Sequence, residues 1–250
     1  MTFDKINLAI STIWREENYL DATLRSLSRE YPISRERSVS LVVGSPVTLH
    51  LDHLRPMPGI TVVEMGPTVW SWIKNNAVRH RATWNYYRCL NEPIGGKRGT
   101  LLLEDDIRFA HGWQARLLDT LSVLEDRYGD NFAVSLYCPQ SFALAGCAHG
   151  ELFVSYPYDK FYGTQAMYYT AKMRHGFRTY LRKHGLARND APYDILLRYY
   201  LTQEGLPLFA TSPSLVQHMG KQSTGLGGWY ESPSFMEDVT ALPASLTTLK

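Results

Sequence analysis

Strand-length apolar runs alternate along this chain with segments of helical periodicity, and that alternation restricts the fold more than any other feature. Ile6–Ile10, Val39–Val43, Ile60–Glu64 and Thr100–Leu103 read as strands, the second and third stopped by Gly44-Ser45-Pro46 and Gly66-Pro67. Between them, Glu16–Leu27 carries Tyr19, Leu20, Thr23, Leu24 and Leu27 at helical spacing, and Asn75–Leu90 turns Val78, Ala82, Tyr86 and Cys89 to one side. Trp113, Leu117, Leu118, Leu121 and Leu124 mark a further helix, Phe132–Tyr137 a further strand, and Gly95-Gly96-Lys97-Arg98-Gly99 a turn. This order predicts an α/β fold with a mostly parallel central sheet flanked by helices. A length of 250 residues without a composition shift predicts one domain over 1–250, with a Ser/Thr/Pro-rich stretch of about 232–250 as a loosely docked tail.

The Thr100–Leu103 run ends in three consecutive carboxylates, Glu104-Asp105-Asp106. Adjacent negative charges repel, and a strand end in a cleft raises that cost, so a positive partner is expected. A hard divalent cation bound through oxygen is one candidate. Alternation puts Glu104 and Asp106 on one face and Asp105 on the other. A solvated acidic turn after a strand is the competing reading. In a parallel sheet, ligands bind beyond the carboxyl ends of the strands, where these residues and Ser11-Thr12 would sit.

The formal charge of +2 implies no strong field and argues against a nucleic-acid partner. Three cysteines, Cys89, Cys138 and Cys147, form neither a disulfide framework nor a zinc motif and are expected as free thiols. No run reaches the roughly 20 apolar residues that cross a bilayer, so a transmembrane segment is not expected, and the expectation is a cytoplasmic protein. The 16 tyrosines and 6 tryptophans suit sugar binding, but core packing accounts for most such rings.

Four stretches in order resemble nucleotide-sugar glycosyltransferases of the GT-A (Rossmann-like) fold, most closely the N-acetylglucosaminyltransferase IV family. They are Ile6–Leu27 with Ser11-Thr12 and Arg15-Glu16, the Arg79–Leu90 helix leading into Leu103–Ile107, Ala191–Leu197, and Pro213–Gly220 followed by Ser223. Phe161–Met167 matches the family pattern poorly.

The resemblance implies a metal-dependent, inverting transfer from a UDP-sugar, UDP-N-acetylglucosamine first, to a glycan or other hydroxyl acceptor. It implies Asp106 as a ligand of Mn2+ (or Mg2+) against the donor diphosphate and His218 as a second ligand, a set in which imidazole favours Mn2+ over Ca2+. Glu104 or Asp105 would reach the ribose or order metal-bound water. Asp194, near the start of a helix with apolar side Tyr193, Leu196, Leu197, Tyr200 and Leu201, is the implied catalytic base. Its bland alternative is an acid favoured by a helix N-terminus and paired with Arg198.

Arg81 and Asn85, four apart on one helical face, are donor-contact candidates, with solvated surface as the alternative. Ser11 and Thr12 either reach the nucleoside or cap a helix. Lys221 is a diphosphate candidate, and Gly225–Trp229 either closes over the donor or merely connects. His50, Asp52 and His53 have metal-like spacing but read as a loop, and Trp70 and Trp72 as core. Two other functions fit the same carboxylates: a metal-dependent phosphohydrolase, and a non-catalytic glycan- or nucleotide-binding module.

Overall fold

The structure is a computed structural model describing residues 3–92, 99–188, 191–221 and 228–242. Of the turn expected over Gly95–Gly99, all but Gly99 lies outside these residues, and Gly99 belongs instead to the strand that follows; Ser223, Gly225–Gly227 and the end of the tail also lie outside. The first half runs β1 (Ile6–Thr12), α1 (Leu20–Ser28), β2 (Val39–Val43), β3 (Ile60–Val63), α2 (Pro67–Ile73), α3 (Val78–Asn91), β4 (Gly99–Glu104), β5 (Ile107–Phe109) and α4 (Trp113–Tyr128). The second half runs β6 (Ala133–Ser135), α5 (Phe142–Ala148), β7 (Phe153–Ser155), β8 (Ala166–Thr170), α6 (Ala171–Leu181), α7 (Tyr193–Glu204), β9 (Leu208–Thr211) and β10 (Val216–His218).

Eight strands form one sheet in the order β3-β2-β1-β4-β8-β6-β9-β7, and β10 pairs with β5 in a separate antiparallel ribbon. Only β8 and β7 oppose the common direction of the large sheet. The expected α/β class with a mostly parallel, helix-flanked sheet is therefore the one observed.

Strands β1, β2, β4 and β8 are buried on both faces, which explains why their sequences lack polar alternation. One face carries Leu8, Ile10, Leu41, Leu101 and Leu103 against α1 and α4, and the other carries Ala9, Val42 and Leu102 against α3, α6 and α7. From β1 the chain moves outward to β2 and β3, then returns to lay β4 on the other flank of β1. The crevice beyond the carboxyl ends of β1 and β4 is thus the topological switch point. Ser11 is paired in register with Glu104 at that edge.

Several boundaries differ from the sequence expectation. Helix α1 begins at Leu20 rather than Glu16, where the Asn18 side-chain oxygen accepts the Leu20 N–H, leaving residues 13–19 to cross the sheet edge. Helix α3 begins at Val78, which is 37% exposed rather than inward. Pro67 opens the unanticipated helix α2, on which Trp72 is two-thirds exposed instead of packed in the core. Strands β8 and β9 escape periodicity because fully buried strands carry no alternation, and β7 because it is only three residues long.

Of the stretch expected as a tail, Ser232, Ser234 and Val239 are buried. The Ser232 hydroxyl donates to the Cys138 carbonyl (2.7 Å) and lies within hydrogen-bonding distance of Ser214 Oγ (2.8 Å). Cys89, Cys138 and Cys147 are all free, the first two buried.

Arg88 on α3 ties the sheet edge together. Its guanidinium donates to the Val43 carbonyl (2.6 Å) at the end of β2 and to the Val63 (3.0 Å) and Glu64 (2.5 Å) carbonyls at the end of β3. Replacing it leaves three strand-end acceptors without this donor. Arg88→Ala is expected to lower the unfolding free energy by about 2 kcal/mol, read as a shifted urea midpoint at unchanged slope.

Candidate active site

The crevice at the ends of β1 and β4 holds a cavity of about 150 Å3. Its acidic wall is Glu104, Asp105 and Asp106; its opposite wall is the α3 face of Val78, Arg81, Ala82 and Asn85; Ser11, Thr12, Arg15 and Tyr193 complete it. The acidic motif is not a solvated turn: Asp105 is 3% exposed and Asp106 5%.

The backbone that presents these carboxylates is fixed from α1. Thr23 Oγ1 sits within hydrogen-bonding distance of the Asp105 (2.9 Å) and Ile107 (2.7 Å) carbonyls, and it accepts the Ile107 N–H (3.1 Å). From the other side, the Met219 N–H donates to the Asp106 carbonyl (2.7 Å) where β10 pairs with β5. A Cβ on Gly220 would stand 2.1 Å from Asp106 Oδ2, so the return of the chain past this carboxylate requires glycine.

Positive charge comes first from Arg15, a residue the sequence reading quoted only within a motif. Its guanidinium spans both aspartates, donating to Asp106 Oδ2 at 2.9 Å through one nitrogen and to Asp105 Oδ1 through the other. Asp105 also accepts from the Thr12 hydroxyl (2.6 Å) and the Ile13 N–H (3.3 Å). Thr12 is therefore a support for Asp105 rather than a helix cap. The signal available in sequence was a single arginine just past a strand end, next to Glu16 and Glu17, with the acidic cluster it meets some 90 residues away.

His218, at the end of β10, brings Nε2 within 3.4 Å of Asp106 Oδ2. Burial pulls the imidazole pKa down, but the hydrogen bond and charge of Asp106 outweigh it and leave it raised. Burial likewise pushes Asp106 up, and His218 and Arg15 together hold it below the ordinary range. Asp105 is raised to about 6 by burial, despite Arg15. Glu104 is raised to about 7 by burial and by the nearby Asp106. Tyr193 Oη donates to Glu104 Oε1 at 3.2 Å, and its ring stacks on Tyr86 at 4.3 Å.

The remaining candidates divide. Asn85 is buried and donates to Ser11 Oγ (2.8 Å) and the Val42 carbonyl (3.1 Å), which joins α3 to β1 and β2 beneath the cavity. Arg81 lines the same wall while donating to the Asn76 carbonyl (2.8 Å). Asp194 is half-buried at the start of α7, next to Tyr193 but not in the cavity lining. Its carboxylate accepts the Ile195 N–H (2.8 Å) and the Gly163 N–H (3.5 Å), while Arg198 lies instead over the Tyr199 ring.

Lys221 is exposed over the Trp229 ring, 5.3 Å from its centroid, and does not line the cavity. His50 meets Thr12 Oγ1 at 3.4 Å, His53 pairs with Asp21, and Asp52 with Arg55, so these three form no common centre.

The donor set at Asp106 fits a divalent ion. Asp106 Oδ1 is buried without a hydrogen-bond partner among the described residues, and an imidazole stands beside the same carboxylate. No group of three or more His, Cys, Asp or Glu side chains among the described residues is arranged as a complete metal site. A two-ligand protein site suits a cation that takes its other oxygens from water and substrate phosphates.

No family model matches the sequence, and no curated protein matches it. Among solved structures, the chain is similar to a mannosyltransferase from Pyrobaculum calidifontis in complex with GDP-Man and Mn2+. The identity is 14%, the TM-score is 0.49, and the match covers 84% of this chain. The chain spans a little over half, 57%, of that protein's length. No helix among the described residues is long and apolar enough to cross a membrane.

The Thr23 clamp gives a test of how the acidic wall is held. Thr23→Val keeps the shape but leaves the Ile107 N–H without its acceptor and the carbonyls of Asp105 and Ile107 without the one hydroxyl proton they share, in a buried position. It is expected to reduce the unfolding free energy by about 1–3 kcal/mol in denaturant titration.

Proposed function

We propose that this protein transfers a sugar from a nucleoside diphosphate sugar to a hydroxyl acceptor, with a divalent cation held by Asp106 and His218. The single observation that supports this most is the buried Asp106 carboxylate at the topological switch point, one oxygen unpartnered and the other beside His218. When bound there, Mn2+ or Mg2+ supplies electrostatic stabilisation of a diphosphate leaving group. Ser11, Asn85 and Arg81 line the side of the cavity where a nucleoside would lie. The resemblance noted in the sequence points to UDP-N-acetylglucosamine as the first donor to test.

The proton of the acceptor hydroxyl needs a base. Asp194 is the proposed one, supported by its place directly after the cavity-lining Tyr193. Glu104 is a second reading, because it lines the cavity itself and a carboxyl raised to about 7 titrates near working pH.

Two experiments test this reading. Release of free nucleotide from a panel of UDP- and GDP-sugars, with Mn2+ and with EDTA, is expected to be metal-dependent for one donor and abolished in Asp106→Ala. Metal-dependent release from simple nucleotides without any effect of acceptor would instead favour a phosphohydrolase. Donor binding by isothermal titration together with transfer rates then separates the two bases. Asp194→Asn is expected to bind donor normally and lose at least about 100-fold in transfer. If Asp194→Asn transfers at the wild-type rate while Glu104→Gln does not, the base is Glu104.

A further inference from the structure

Arg15 occupies an unusual position for a cationic side chain next to a cation site. Its side chain is only 11% exposed, and it donates to the same Asp106 oxygen, Oδ2, that faces His218. The second arm of the guanidinium holds Asp105, whose other oxygen is fixed by Thr12 and Ile13. Arg15 Nε is buried without a hydrogen-bond partner among the described residues, so the side chain has a donor to spare where it lies. Arg15 also lines the cavity, which puts it within the space a bound donor would enter.

Resting on the function proposed above, we propose that Arg15 is a built-in counter-cation that competes with the divalent ion for Asp106 and couples metal binding to nucleotide binding. Without nucleotide, the guanidinium neutralises Asp106, and a metal shared between Asp106 and His218 must displace it from Oδ2, the oxygen that faces the imidazole. Two positive charges sharing one carboxylate oxygen repel each other at this separation. When a diphosphate enters the cavity, its oxygens offer the guanidinium the bidentate partner it gives up on Asp106. The displaced arginine then contacts the donor, and Asp106 is released to the metal. Asp105 keeps its Thr12 and Ile13 hydrogen bonds throughout, so the acidic wall does not lose its shape. The device would keep the site from filling with metal before the donor arrives.

The test is Mn2+ binding to the nucleotide-free protein, followed through the paramagnetic resonance signal of free Mn2+, for wild type, Arg15→Ala and Arg15→Lys. Arg15→Ala is expected to bind Mn2+ about tenfold more tightly than wild type, within the usual range of coupling between sites. Arg15→Lys, which keeps the charge but loses the bidentate fork, is expected to lie between them. The increase in melting temperature on adding Mn2+ should be largest for Arg15→Ala, because the vacated aspartates gain most from the ion.

Addition of UDP or GDP, with its own Mn2+ chelation subtracted, should tighten Mn2+ binding more in wild type than in Arg15→Ala. Equal or weaker Mn2+ binding by Arg15→Ala overturns the competition while leaving the metal-dependent transferase intact. Absence of Mn2+ binding by all three proteins, with and without nucleotide, overturns both. If Arg15→Ala does not fold, as judged by circular dichroism, the same comparison between wild type and Arg15→Lys decides.

Discussion

Three consecutive carboxylates end a central strand, two of them almost wholly out of water and the third half-buried, and much of the surrounding architecture answers that electrostatic problem. Burying one ionised carboxylate without a partner costs several kcal/mol, and neighbours of like charge raise the figure. Here the answer is distributed. Arg15 bridges the two aspartates, Thr12 and the Ile13 amide hold Asp105, His218 stands against Asp106, and Tyr193 donates to Glu104. These groups arrive from the ends of β1, β10 and the start of α7, so the cluster exists only in the folded chain. Three carboxylates face one permanent positive charge and one imidazole, so acidic groups outnumber basic ones in the cluster.

The fold places that cluster where a ligand can use it. Because β4 returns to the flank of β1 opposite β2, the helices following β1 and preceding β4 leave a crevice between them. The floor is set by buried polar contacts such as Asn85 to Ser11, and the rim by Arg88 binding the carbonyls that end β2 and β3. Rigidity on this side contrasts with the chemistry on the other, where a charged arginine and a histidine share one carboxylate oxygen.

How much of this was readable beforehand depended on whether the signal was local. Buried strands of aliphatic residues separated by helical periodicity gave the parallel core, and the end of an apolar run in Glu104-Asp105-Asp106 located the sheet edge. The α7 stripe of Leu196, Leu197, Tyr200 and Leu201 is buried as its spacing implied. Arg15 was harder, because an arginine in a connection past a strand end looks solvated until β4 is laid beside β1. Strand β8 was equally hidden: its residues Ala166–Thr170 are buried on both faces, and its direction follows from pairing with β4 and β6, which no local pattern encodes. Trp72 erred the other way, a large apolar ring that the chain leaves in solvent.

The sequence by itself determined the α/β class, the strands that form the parallel half of the sheet, and the carboxylates at its edge, since these depend on hydrophobic periodicity and on charge placed next to it. Tertiary structure decided which positive groups meet those carboxylates, that Tyr193 rather than the adjoining Asp194 lines the cavity, and that Lys221 lies over the Trp229 ring. The physical reason is range. Periodicity is set within a few residues, whereas the pairing of Arg15 with Asp105 and Asp106, some 90 residues away, is set by strand order and by the cost of leaving a buried charge unpaired.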